Sequence, residues 1–221
     1  MFKSYLFLEG EPGADPFRYE GARALEACRE ALPFISGYTQ TRTLPTQLEG
    51  RRAPPFTGIA ELWLAQEQTA LDGVTQANAV ADLLREGTRV GPITVGWART
   101  VMRLPEHHTG RFIKGVFPFR RKTGMSVKEF QARWWLRHGP IAAQTEHAAF
   151  YLQCHPLPAS YAAGTPPFDG VTELHWRSVE SAAAAMRSRQ MTQDQAEDAA
   201  SFVDTGSVVL FLAEEEVVVP A

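Results

Sequence analysis

Apolar positions along this chain follow two periods that alternate, and the alternation repeats. "Lys3-Ser-Tyr-Leu-Phe-Leu" is a short apolar run of strand length that ends at a Gly10 turn, and "Lys114-Gly-Val-Phe-Pro-Phe" is a second one ahead of Gly124. Behind the first, Leu25, Cys28 and Leu32 form a stripe at helical spacing. Asp15 before Pro16 predicts its N-cap and first-turn proline. Behind the second, Ser126-Val-Lys-Glu129 is a capping box, in which hydroxyl and carboxylate satisfy free amides reciprocally, and the helix is expected to stop at Gly139-Pro140.

Period-2 strands come next. "PPFTGIAELWL" at Pro54–Leu64 and "PPFDGVTELHW" at Pro166–Trp176 share six of eleven positions. Ala/Gln/Glu-rich stretches, Ala65–Glu86 and Ser178–Ala200, predict second helices, and apolar strands at Ile93–Met102 and Ser207–Ala213 close each half. The anchors are collinear: Lys3 to Lys114 is an offset of 111, Phe56 to Phe168 of 112 and Tyr38 to Tyr151 of 113. Such self-similarity predicts an internal repeat, with halves at 1–103 and 111–221 joined by "LPEHHTGR". Each half reads β-α-β-β-α-β, the ferredoxin-like order. One sheet face takes the helices and the other needs cover, which a fused second copy can supply. The expected fold class is α+β: two tandem ferredoxin-like units forming an intrachain pseudo-dimeric α/β barrel.

Composition narrows the partners. With 44% hydrophobic and 21% charged residues in 221, the chain can bury a sizeable core. A net charge of −3 gives no electrostatic reason to expect nucleic acid or an anionic membrane surface. No segment approaches the roughly 20 apolar residues that cross a bilayer. The start reads as a strand rather than a signal peptide, and two cysteines offer no disulfide framework, so a cytoplasmic monomer or homodimer is expected.

Candidate chemistry concentrates in the second half. Phe130, Trp134 and His138 stand at i, i+4 and i+8 on the predicted helix. Rings beside an imidazole desolvate it and hold it neutral for proton transfer; the bland reading is a histidine that helps end the helix. "RRKTGMSVKEFQARWWLRHGP", then "FYLQCH", then "FDGVTELHW" resemble the EthD family of the dimeric α/β-barrel superfamily. The resemblance rests on Phe130, Trp134, His138, Pro140, Tyr151, Gln153, His155, Asp169, Gly170 and Glu173, and covers most of 112–221. The first half departs from that pattern. Its helix lacks Trp-x3-His, Arg42 stands roughly where His155 stands, Thr57 replaces Asp169 and Trp63 replaces His175.

Strand alternation groups Tyr151, Gln153 and His155 on one face, and Glu173 and His175 on one face of their own strand. Both sets are expected to point away from the helices, toward Tyr38, Gln40, Arg42, Glu61 and Trp63. The resemblance implies an enzyme without cofactor or metal acting on a hydrophobic, aromatic or polyketide-like molecule by lyase, isomerase or cyclase chemistry. His138 is the expected base, His155 or His175 the acid or oxyanion donor, and Tyr151 a hydrogen-bond partner. Phe130, Trp134, Gln153, Glu173, Arg42 and Trp63 are the expected substrate contacts. Cofactor-free monooxygenation and non-catalytic ligand binding are the alternatives. His107-His108 and His147 read as solvated, Arg120-Arg121-Lys122 as a cluster able to meet an anion, and "GTRVGP" lacks the Gly-Lys-Ser/Thr of a phosphate loop.

Overall fold

The computed structural model describes residues 1–11, 13–45, 54–66, 89–104 and 111–219. The His107-His108 pair, Gly87-Thr88 and nearly all of the helix expected at Ala65–Glu86 lie outside the described residues. Two compact units emerge: Met1–Ala98 with Pro156–Pro167 and Ala213–Ala221, and Arg99–His155 with Phe168–Leu212.

In the first unit, β1 (Phe2–Glu9), β2 (Ile35–Thr43), β3 (Gly58–Leu64) and the first part of β4 (Arg89–Arg103) lie in the order β4-β1-β3-β2. All described neighbours are antiparallel. Helix α1 (Gly21–Ala31) follows β1. Leu6, Leu8, Phe17, Leu32, Tyr38, Ala60 and Leu62 form a solvent-free cluster between them. The helix starts later than Asp15-Pro16 predicts. Asp15 instead accepts from the Phe17 N–H at 3.0 Å and from the Arg42 guanidinium at 3.1 Å, so its carboxylate serves a tight turn.

The second unit repeats the order. β5 (Phe112–Arg121) pairs with β7 (Gly170–Trp176), β7 with β6 (Phe150–Pro156), and β5 has the start of β9 (Phe211–Val219) on its other side. The short β8 (Val203–Asp204) extends the end of β5. β9 begins later than the Ser207 expected from sequence, because Asp204 accepts from the Gly206 N–H and turns Thr205–Ser207 into a 3-10 turn. Registers correspond between units: Lys3 faces Trp63 and Tyr5 faces Glu61, while Lys114 faces His175 and Val116 faces Glu173.

The capping box forms as read. Ser126 accepts from the Glu129 N–H at 3.2 Å, and Glu129 accepts from the Ser126 N–H at 3.1 Å. Helix α2 (Val127–Arg133) then does not stop at Gly139-Pro140. It passes through a π-helical turn (Trp134–His138) into α3 (Gly139–Ala142). The Gly139 N–H reaches back five residues to the Trp134 carbonyl. Pro140 has no N–H to give, and the wider turn ahead of it absorbs what would otherwise be a break. After β7, Ser178 caps α4 (Val179–Arg187), and a second π-turn (Gln190–Gln195) leads into α5 (Ala196–Ala199).

Candidate functional site

The helix side of the second unit is built around aromatic rings. Trp134 packs edge-on against Phe119 at 5.0 Å and beside Phe130 at 5.7 Å, and Phe130 meets Phe202 at 5.8 Å. These four residues and Val203 form a buried cluster. Such ring pairs contribute about 1 kcal/mol each beyond the area they bury. Gly170 makes room for it: a Cβ there would lie 2.7 Å from Trp134 Cζ3 and 2.8 Å from Phe119 Cζ. The Asp169 beside it accepts from the Arg121 backbone N–H at 3.0 Å and pairs with the Arg121 guanidinium. The Asp-Gly pair of the motif is thereby spent on joining β5 to β7 and on seating the indole.

The π-turn leaves the Trp134 carbonyl accessible from the side, and Gln153 uses it. Gln153 Nε2 donates to the Trp134 carbonyl at 3.0 Å and to the Tyr151 hydroxyl at 2.8 Å. Its Oε1 faces His155 Nε2 at 2.8 Å. The imidazole lies against the Trp134 ring with centroids 4.2 Å apart. This contradicts the expected faces. Tyr151, Gln153 and His155 point toward the helix, in register with Leu174 and Thr172, not away from it. The polar residues of β6 face the helix because a π-turn carbonyl offers them a partner there, which alternation cannot reveal. In the first unit Gln40 likewise donates to a helix-side carbonyl, that of Tyr19, at 2.9 Å.

His138 sits on the same side. Its Nδ1 lies 3.0 Å from Asp198 Oδ2 and its ring meets Phe202 edge-on at 5.2 Å. Asp198 also receives Arg133 at 2.8 Å, with Arg137 at 3.6 Å. Burial lowers the His138 pKa below the usual imidazole value; the Asp198 hydrogen bond and charge oppose that, and Arg133 adds to it. The histidine is therefore neutral at pH 7, with Nδ1–H donated to the carboxylate and the Nε2 lone pair left for chemistry. Burial and then Arg99 push His155 down to about 3. Burial pushes Tyr151 up to about 12, so it remains a phenol. Neither residue is ionised near neutrality.

His175 lies apart. It faces Phe150 and Lys114 in register, on the sheet face opposite Tyr151 and Gln153. Phe150 and Phe112 flank its ring at 5.1 and 5.9 Å, and its Nε2 is 3.6 Å from Glu173, which also pairs with Lys114 at 3.4 Å. One pocket holding all three histidines is thus not what the second unit builds: His138 and His155 share the helix side, and the sheet separates them from His175.

In the first unit Trp63 fills the position of His175. Lys3 Nζ stands 4.4 Å over its ring and 2.5 Å from Glu61, and Thr41 donates to Glu61 at 2.5 Å. Arg42 is held by Asp15 at 3.1 Å, Glu20 at 2.9 Å and Glu216 at 3.4 Å. Asp198, Arg133 and Arg99 were not picked out in the sequence. The only signal for Asp198 was that a base histidine needs an orienting carboxylate, and Asp194, Glu197 and Asp198 all compete for that role. Of the basic run, Arg121 is committed to Asp169 and to the Met125 carbonyl, and Lys122 to the Ala200 carbonyl. Lys122, Thr123, Gly124, Met125, Glu129 and Arg133 line an open hollow of about 540 Å³. His147 is exposed, as expected.

Residues 122–206 match the family model of the EthD domain. No curated protein matches the sequence significantly. Among solved structures, an EthD family protein from Bacillus halodurans matches 46% of this chain and 95% of its own at 16% identity and a TM-score of 0.38. A putative monooxygenase from Lactobacillus acidophilus matches 99% of this chain and 95% of its own at 9% identity and a TM-score of 0.53. Chlorite dismutase from Candidatus Nitrospira defluvii in complex with imidazole matches 97% and 90%, at 11% identity and a TM-score of 0.51. The last two likenesses establish a shared α+β fold.

Proposed function

From a chain that carries an EthD domain at 122–206, we propose an enzyme that moves protons on a hydrophobic, aromatic or polyketide-like small molecule. One observation carries the proposal: a buried His138 whose Nδ1 is held 3.0 Å from Asp198 and whose pKa is lowered by burial. Asp198 fixes the tautomer, Nε2 removes a proton next to a substrate carbonyl, and the imidazolium so formed is stabilised by the carboxylate until the proton is returned. Isomerisation is these two transfers alone. In a lyase the enolate expels a leaving group, and in a cyclase it attacks a second carbonyl of the same molecule. The imidazolium then gives its proton to the departing group or the new alkoxide, so the proposed reaction requires no cofactor. Phe130 and Trp134 supply the apolar wall of the proposed site. The architecture proposed alongside this is a duplicated unit whose first copy has lost the histidines.

The test uses 1-phenylbutane-1,3-dione in D2O, followed by NMR for exchange at the carbon between the carbonyls. The wild-type protein is expected to accelerate exchange and His138→Ala to lose about 100-fold of that. Unchanged exchange in His138→Ala removes the assignment. Cofactor-free monooxygenation begins with the same abstraction, in a fold shared with a putative monooxygenase. It differs in consuming oxygen, which an oxygen electrode reads directly.

A further inference from the structure

The hydrogen bonds around Gln153 fix the orientation of its amide and the tautomer of His155. The Trp134 carbonyl can only accept, and it already receives the Gly139 N–H. The group 3.0 Å from it is therefore the Gln153 amide NH2, which also reaches the Tyr151 hydroxyl at 2.8 Å. Gln153 then presents its oxygen to His155 Nε2 at 2.8 Å, and an amide oxygen demands a donor there. The His155 proton sits on Nε2 and Nδ1 carries a bare lone pair. His155 is 2% exposed, and among the described residues its Nδ1 has no hydrogen-bond partner. A buried acceptor left open costs about 1–3 kcal/mol, which a hydrogen bond from a ligand would recover.

The first unit shows the same frame closed from within. Gln40 donates to the Tyr19 carbonyl, and Arg42, which stands where His155 stands, donates to Gln40 Oε1 at 3.4 Å. Three more guanidinium N–H groups of Arg42 reach Asp15, Glu20 and Glu216. Position 42 finds four partners within the protein, and position 155 is one hydrogen bond short. The open atom lies on a ring already stacked on Trp134, with Trp135 at 6.4 Å, so its immediate surroundings are aromatic.

We propose that His155 Nδ1 is the specificity contact of this unit: it accepts a hydrogen bond from a hydroxyl borne on an aromatic ligand, a phenol or enol, that enters beside the half-buried Trp135. This rests on the reading that the second unit takes an aromatic small molecule, and not on His138 being a base. It reverses the acid or donor role expected of His155, since a ring whose only proton is given to Gln153 has none to offer.

The probes are 2-naphthol and its methyl ether 2-methoxynaphthalene, which differ in the one donor, titrated against tryptophan fluorescence. The wild-type protein is expected to bind 2-naphthol roughly three- to tenfold tighter, and His155→Phe to bind both equally. His138→Ala is expected to keep the full preference even where exchange activity is gone, which separates failure of this proposal from failure of the proton-transfer reading. Equal affinity for the two probes in the wild-type protein, no binding of either, or a preference that survives in His155→Phe overturns the proposal. Should His155→Phe not fold, 15N NMR of the wild-type imidazole decides. The Nδ1 resonance is expected to move with 2-naphthol and not with the ether, and an unmoved resonance overturns the assignment.

Discussion

His138 Nδ1 lies 3.0 Å from Asp198 Oδ2, across sixty residues of sequence, and each holds the other in place. The Asp198 hydrogen bond and charge raise the His138 pKa against burial. In Asp198→Asn the support weakens, and His138 is expected to titrate at lower pH than in the wild-type protein. Proton exchange activity should fall by about 100-fold through loss of the correct tautomer. An NMR titration of the imidazole reads the first effect without any substrate. An unchanged or higher midpoint contradicts it.

Gly170 is required by Trp134. A Cβ at 170 would sit 2.7 Å from the indole and 2.8 Å from Phe119, both locked in the aromatic cluster. Gly170→Ala is expected to cost about 2 kcal/mol, the range of an overpacked core. Thermal unfolding measures it, and a midpoint equal to wild type would show that the cluster yields.

His155 makes native stability depend on pH. It is pushed down to about 3 by burial and Arg99, from an unperturbed value of 6.5. Between those values the unfolded chain binds a proton that the native protein does not, so stability rises with pH across the window and is lost as pH falls through it. The slope from this residue is about 1.4 kcal/mol per pH unit within the window. Urea unfolding at pH 6.5 and pH 5 should show a steeper loss for the wild-type protein than for His155→Phe. Parallel losses would remove His155 as the source.

Lys3 and Glu61 are both about 1% exposed and 2.5 Å apart. Lys3→Met removes the cation from beside a buried carboxylate to which Thr41 also donates, and a cost of about 3 kcal/mol follows. Lys3→Met with Glu61→Leu removes both charges and is expected to recover most of that. Chemical denaturation of both variants checks the pair; a double variant no better than the single would show that the charges do not act through each other.

The sequence made the ferredoxin-like order legible because period-2 and helical stretches alternate and the anchors recur at offsets of 111 to 113. The capping box was equally plain, since Ser126 and Glu129 act within four residues. The helix at Gly139-Pro140 was misjudged because a π-turn is not encoded in periodicity. In Trp134–His138 the Trp134 carbonyl accepts both the Gly139 N–H and the Gln153 amide, and Gln153 comes from a strand further along the chain.

Local pattern by itself determined the described strands, the order they pair in, and the residue types that set the second half apart: Trp134, His138, His155 and His175. Tertiary structure decided which of them meet. It turned the polar face of β6 toward the helix, put His175 on the other side of the sheet and brought Asp198 to His138. A strand's alternation names two faces but not which one is inward, and a histidine's proton follows from its partners. Those partners come from distant segments of the chain, so the roles of the histidines exist only in the folded protein.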